Sequence, residues 1–587
     1  MSTVSPTRSE LPEVVWGSVL SFLTTKEQLL SGRVCTAWQR VSKTDFCKVA
    51  LMRSISKLRV EEVNTLLKKL PRLVGLAHQT FNQSLDPTSK IKGGFLSRVI
   101  ESKLEDSPFI VIAYLRSLSE KQREMIEALK FSCRGLDFTD EQVTEIIALC
   151  PKLKSLSLID SKITGTGLAQ IAKENKLEKI NLSGCKNLDE RSLTVFFLKA
   201  VFLREIDLSY TPMTGECLAH IPEENYIEKL SLRSLSFSSH RIHEGFLTDF
   251  FSKATHLKEV DLSSTSITGR CLIHILEKNQ LEMLVLSGAM LLEENILADF
   301  FSKATYLRWV NLSGINITGR CLTCIPEKNH LEWLCLSSCR KLEEDLLAEF
   351  FSKATSLRKV TLSNTFTTGK CLSQIPKENH LEKLRIQECD YLEEDALAEF
   401  FSKASHLRMV NLYHTSITGK CLSQIPKENH LEWLCLNRCK DLKEDELADF
   451  FSKAAHLRDV SFLSTNITGK CLTQLPSKNC LEKLNLRNCI NLIECFLASF
   501  FFHKAANLKE VNLRGTNITG EGLSFIAEKN KLKKIYLREC DNLKESFLAC
   551  FFSKATHLIY RNVSYSNSSE ELFRKTQLYA SRVAVLS

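Results

Sequence analysis

The chain predicts an α/β solenoid, with parallel strands along its concave face and helices along its convex face. Two observations carry this expectation. The pentad Phe-Phe-Ser-Lys-Ala starts at Phe250, Phe300, Phe350, Phe400 and Phe450, a spacing of 50 residues, and again at Phe551 after a one-residue insertion, with looser copies at Phe196 and Phe501. A hexad with apolar first, fourth and sixth positions starts at Leu153, Leu177, Leu203, Ile227, Leu257, Leu281, Leu307, Leu331, Leu357, Leu381, Leu407, Leu431, Leu457, Leu481, Leu508 and Leu532, and degenerate copies fit at Ile126 and Leu558. Self-similarity at a fixed period marks stacked units that bury a continuous core only together.

Each 50-residue block holds two such hexads, for example Leu407-Arg-Met-Val-Asn-Leu412 and Leu431-Glu-Trp-Leu-Cys-Leu436. Apolar residues at alternate positions over so short a stretch predict a strand. Between hexads the period changes. Leu447, Phe450, Phe451 and Ala454 fall at i, i+3, i+4 and i+7, which predicts one apolar helical face. The alternate unit, Ile417 to Pro426, is shorter, and its helix should end near Pro426, which cannot continue the backbone hydrogen bonding.

Strand, turn and helix in so short a unit resembles the leucine-rich repeat, in its cysteine-containing class. The third residue after the hexad is Cys185, Cys339, Cys389, Cys439, Cys489 or Cys540, and in the alternate units Thr211, Thr265, Thr365, Thr415, Thr465 or Thr516. Small donors there suit backbone carbonyls where the chain leaves the strand. Cys217, Cys271, Cys321, Cys371, Cys421 and Cys471 recur at one helix position, as expected of small, readily buried thiols. No second Cys pair or close His pair completes Cys321-x-x-Cys324 as a metal site. Neither a metal nor another cofactor is expected.

Most of the 22 cysteines follow the repeat rather than a disulfide framework, which indicates a reducing compartment, the cytoplasm or the nucleus. Met1–Glu10 is polar and lacks a signal-peptide core, and there is no apolar run long enough to span a membrane. The net charge is +9, but most of the excess lies before residue 131 and the repeats are nearly neutral. That balance argues against a nucleic-acid ligand. The expected divisions are a flexible tail at 1–10, a helical hairpin at 11–48, a helical linker and N-terminal cap at 49–125, the solenoid at 126–563, and a C-terminal cap at 564–587 opened by the capping-box signal Ser568-Ser-Glu-Glu571.

Residues 11–42 do not follow the repeat. Leu11-Pro-Glu-Val-Val-Trp-Gly-Ser-Val-Leu-Ser-Phe-Leu23 is followed by Leu29 and by Val34-Cys35-Thr-Ala-Trp38. Pro12 suits the first turn of a helix, and Val15, Val19, Phe22 and Leu23 recur at helical spacing. The Leu-Pro opening, the apolar end of the first helix and the Val-Cys-x-x-Trp core resemble an F-box. Val14 and Gln28 stand where that family usually carries acidic residues. The resemblance implies docking on the Skp adaptor, and through it on a cullin scaffold, by Leu11, Pro12, Val15, Val19, Leu20, Phe22, Leu23, Leu29, Val34 and Trp38. A plain capping hairpin is the other reading of the same segment.

On the strands, the first variable position of the hexad alternates in sign: Lys258, Glu282, Arg308, Glu332, Arg358, Glu382, Arg408, Glu432, Arg458, Glu482 and Lys509. Rungs about 4.8 Å apart can make this a self-satisfied ladder. The next variable positions differ between otherwise similar repeats. Cys335 and Cys435 stand there, and so do seven residues, Trp309, Trp333, Met409 and Trp433 with Lys359, Lys383 and Arg385. Exposed aromatics and Arg are favoured at protein interfaces, so these seven residues are the candidate contacts for a protein substrate. The alternative is that they pack on one another and fill the inner curve. The F-box resemblance ahead of the repeats implies a substrate receptor of an SCF-type ubiquitin ligase, and with no nucleophile–base motif the chain is expected to be non-catalytic. The rival readings are an interaction scaffold outside ubiquitin ligation and a bacterial effector acting in host cytoplasm.

Overall fold

The computed structural model describes residues 99–102, 108–132, 138–233, 242–276 and 279–562. The tail at 1–10, the hairpin at 11–48 with all ten of its proposed adaptor contacts, most of the linker and the cap at 564–587 lie outside these residues. The chain divides into two compact units, Met1–Gln280 and Leu281–Ser587.

In the first unit the strands run in chain order, each hydrogen-bonded in parallel to the next. They are Val99–Ser102, Ala128–Ser132, Ser155–Ile159, Lys179–Asn181, Glu205–Asp207, Lys229–Ser231 and Glu259–Asp261. The second unit repeats this order from Met283–Val285 to Tyr560–Asn562. Each hexad supplies a strand from its central residues, and a helix or helical turn follows before the next. Both units are leucine-rich-repeat solenoids. The strand Val99–Ser102, between the expected helices of the linker at 49–125, is an element the sequence reading did not anticipate. It carries no leucine hexad. The backbone edge of Ala128–Ser132 accepts a parallel neighbour without one, because an unpaired strand edge is a template for pairing. Beyond it, helices Pro108–Ser117 and Glu120–Arg123 occupy the stretch expected to be helical.

The long helices bury the face that the periodicity predicts. In Glu444–Lys453, Leu447, Phe450 and Phe451 are fully buried, as is Ala454 just beyond the helix. The two Phe rings lie 5.1 Å apart, edge to face. The same doublet is buried from Phe196–Phe197 to Phe500–Phe501. The alternate unit forms only a short helical turn, 3-10 at Lys420–Gln424, two residues before Pro426, and α at Lys370–Ser373.

Polar side chains tie successive rungs together. The Leu362 carbonyl accepts from Thr365 Oγ1 at 2.6 Å and from Cys389 Sγ at 3.2 Å, and the Leu412 carbonyl accepts likewise from Thr415 and Cys439. Each buried carbonyl thus receives two donors that the sequence pattern had assigned to alternate units. A second device is a carboxylate at the start of each long helix. Glu394 accepts from Thr418 Oγ1, from Gly419 N at 2.9 Å and from Cys421 N at 3.4 Å. Asp140, Glu190, Glu244, Glu294, Glu344, Glu444 and Glu494 clamp the equivalent turns. The turn requires glycine. Gly419 has φ +103°, and a Cβ there would meet Leu447 Cδ2 at 2.6 Å, a conformation that side chains rarely adopt.

Candidate partner-binding site on the strand face

The first variable positions form the expected ladder in both units. Arg204 and Lys258 flank Glu228, at 2.5 and 3.2 Å. Arg308 pairs with Glu332 at 2.5 Å, Arg358 with Glu382 at 2.7 Å, Arg408 with Glu432 at 3.1 Å, and Lys509 with Glu482 at 2.8 Å. These pairs are solvent-exposed, so each adds well under about 1 kcal/mol. Their consequence is electrostatic: the row has neutralised itself.

Over the rungs from Trp309 to Trp433 the adjoining row has not. Parallel register sets Trp309 beside Trp333, Trp333 beside Lys359, Lys359 beside Lys383, Lys383 beside Met409 and Met409 beside Trp433. Arg385 lies on the same strand as Lys383, between Thr361 and Asn411 in the next row. All seven residues singled out in the sequence therefore fall on one continuous run of six rungs. Trp309 and Trp333 meet edge to face with centroids 5.6 Å apart, and Trp309 remains 47% exposed. The pair packs on itself and still presents a ring to solvent. Lys359 Nζ sits 4.3 Å from the centre of the Trp333 ring, a cation–π contact.

Among the described residues, no ion pair joins Lys359, Lys383 or Arg385 to a carboxylate. Burial pushes the Lys359 ammonium below its ordinary value, and the nearby Arg385 and Lys383 charges push the same way. Two buried donors without an acceptor also lie here, Trp333 Nε1 and Arg385 Nε. The acids closest in sequence are engaged elsewhere, with Glu382 on Arg358 and Glu332 on Arg308.

Cys335 and Cys435, expected on the open face beside the tryptophans, are buried. Their row is recessed beneath its longer neighbours, Cys335 Sγ lies 3.0 Å from Ser313 Oγ, and burial pushes the Cys435 thiol up to about 11. Such a thiol is protonated and inert at neutral pH. The sequence reading also missed Phe366 and Tyr391. They are 56% and 61% exposed and in contact at 5.9 Å, on the loops leaving strands Lys359–Thr361 and Lys383–Arg385. The signal lay in departure from the repeat, since Asn316, Ser416 and Asn466 occupy the position of Phe366 in neighbouring blocks.

A cleft of about 370 Å³ lies among the helices of the first unit, lined by Thr144, Ile147, Cys150, Leu153, Ile171 and Leu177. It gathers no acid–base pair, and burial pushes its Cys150 thiol up to about 12. No helix among the described residues is long and apolar enough to cross a membrane, and no group of three or more His, Cys, Asp or Glu among them is placed to hold a metal ion.

Comparison with known proteins agrees with the repeat. A family model described as Leucine Rich repeat matches residues 504–527. No curated protein matches. Among solved structures, the crystal structure of a TLR13–ssRNA13 complex is similar at 16% identity and a TM-score of 0.43, over 77% of this chain and 65% of that one. The chain thus spans just under two thirds of that protein's length. The fold rests on the chain's own repeating strand–turn–helix geometry: this is a leucine-rich-repeat protein fold.

Proposed function

We propose that the chain is a substrate receptor of an SCF-type ubiquitin ligase. Its segment at 11–48 docks on the Skp adaptor, and its strand face captures a protein substrate. The observation that carries the adaptor half is the motif itself, Leu11-Pro12 to Leu23 followed by Val34-Cys35-x-x-Trp38 ahead of a leucine-rich-repeat array. The capture half is supported by the run from Trp309 to Trp433, where aromatic rings and unpaired cations are left on an otherwise neutralised face.

In this role the chain supplies no chemistry. It holds a substrate lysine near a charged ubiquitin-conjugating enzyme and so removes much of the entropic cost of their meeting. It acts in the cytoplasm or nucleus, where free thiols persist. The test is co-purification of the full chain with the Skp adaptor, against the Pro12→Ala/Leu23→Ala/Trp38→Ala variant. Retention by the parent chain and loss by the variant is the expected result. If neither chain retains the adaptor, ubiquitin ligation is removed and a binding scaffold remains.

A further inference from the structure

Over the rungs from Trp309 to Trp433 the second unit treats one strand position differently from the first; farther on, Lys534 again pairs with Glu510 at 3.6 Å. In the first unit the second variable row alternates in sign and pairs across rungs, Lys179 with Glu205 at 2.5 Å and Lys229 with Glu259 at 2.6 Å. In the second unit Lys359 and Lys383 occupy that row on adjacent rungs, with Arg385 on the strand of Lys383. Like charges directly opposite each other destabilise a sheet. Here the cost is incurred where acids at the next rung would have removed it. Two donors in the same patch, Trp333 Nε1 and Arg385 Nε, also lack acceptors, and a buried unsatisfied donor calls for an explanation.

We infer that Lys359, Lys383 and Arg385 form the anchor for an acidic segment of the captured protein, whose oxyanion groups replace the missing carboxylates. An apolar residue next to that acidic run packs on the exposed Trp309 ring and its partner Trp333. Carboxylate and phosphate oxygens would serve the trio equally in kind, since both accept charge-assisted hydrogen bonds from Lys and Arg. A nucleic acid is disfavoured because the cationic cluster is short and the row beside it is neutralised by Glu332, Glu382 and Glu432. The inference rests on reading this face as a capture surface and is independent of adaptor docking.

The experiment titrates full-length protein into a short fluorescein-labelled peptide of glutamates around one leucine, read by anisotropy. Parallel arms use the same peptide with glutamine for glutamate, a phosphoserine version, and a single-stranded RNA of similar length. The decisive variant is Lys383→Glu, which places a carboxylate opposite Lys359 and recreates the pairing of the first unit. Because that change relieves repulsion, its thermal unfolding midpoint should hold or rise, so lost binding cannot be ascribed to misfolding.

The expected result is binding of the glutamate peptide that weakens with added salt and falls at least about tenfold in the variant, with the glutamine peptide unbound. Tighter binding of the phosphoserine peptide, with the same dependence on Lys383, supports the site and identifies phosphate as the preferred source of oxyanion. Equal binding of glutamate and glutamine peptides, unchanged binding in the folded variant, silence of both acidic probes, or preferential binding of the RNA would each overturn the inference. Adaptor co-purification is unaffected by any of these outcomes, so the two proposals fail separately.

Discussion

The strand faces of the two units share one backbone plan and differ, over the rungs from Trp309 to Trp433, in whether their charges are answered. In the first, Asn181 donates to Asp207, Arg233 pairs with Asp261, and lysines face glutamates from rung to rung. In the second, the corresponding rows run through Trp309, Trp333, Lys359, Lys383, Met409 and Trp433, and the cations there face one another or a ring. The helices behind both rows are built alike, with buried Phe doublets and carboxylate clamps. A surface that departs from pairing over an unchanged scaffold is under a demand other than folding, and the proposed binding site lies at that contrast.

The scaffold should therefore fail alike in both units, and this is the largest effect. Phe196→Ala and Phe450→Ala each remove a fully buried ring and should cost about 3–5 kcal/mol, measured by urea unfolding of full-length protein. A cost confined to one unit would break the comparison. Next is the clamp. Burial pushes the carboxyls of Glu244 and Glu394 up, but hydrogen bonds from Thr268 and Cys271, and from Thr418, Gly419 and Cys421, outweigh it and hold both below the ordinary value of 4.5. A lowered folded-state value means that the contribution is fully present above the unfolded value and lost as pH falls through the folded one. Both units should thus weaken below about pH 4.5. Glu394→Gln should cost about 1–2 kcal/mol at pH 7 and flatten that acid limb, checked by thermal melts at several pH values.

The swap comes third. Lys383→Glu should stabilise, and Glu205→Lys should destabilise, each by about 0.2–1 kcal/mol. Opposite signs in denaturant midpoints would confirm that the row is satisfied at Glu205 and unsatisfied at Lys383, and equal signs would refute it. The smallest effect is a difference in reactivity. The Glu259 carboxylate raises the Lys229 ammonium above its ordinary value, whereas burial and then Arg385 and Lys383 lower that of Lys359. Under an amine-selective label at mildly alkaline pH, mass spectrometry should find Lys359 modified before the more exposed Lys229. The reverse order would show that Lys359 is already answered.

Much of this was legible beforehand. The hexads placed every strand except Val99–Ser102, because only that strand is held by its neighbour's edge rather than by its own leucines. The alternating first row announced its ion pairs, since period and register together put opposite signs on adjacent rungs. Cys335 and Cys435 were misjudged because strand alternation separates two faces but does not tell how deep a short side chain lies between taller ones. Phe366 and Tyr391 escaped notice because loops carry no period to depart from unless repeats are aligned block against block.

The sequence by itself determined the solenoid, its strand and helix faces and the identity of the seven strand-face residues, because these follow from spacing along one chain. Only the tertiary structure decided which charges are answered. A lysine and its acid stand 24 to 30 residues apart, as with Arg308 and Glu332 or Lys258 and Glu228, and whether their ends meet depends on rung-to-rung register and on what else competes for each carboxylate. For the same reason the clamp of Glu394 on the Thr418–Gly419 turn appears only when one helix start is laid against the next repeat.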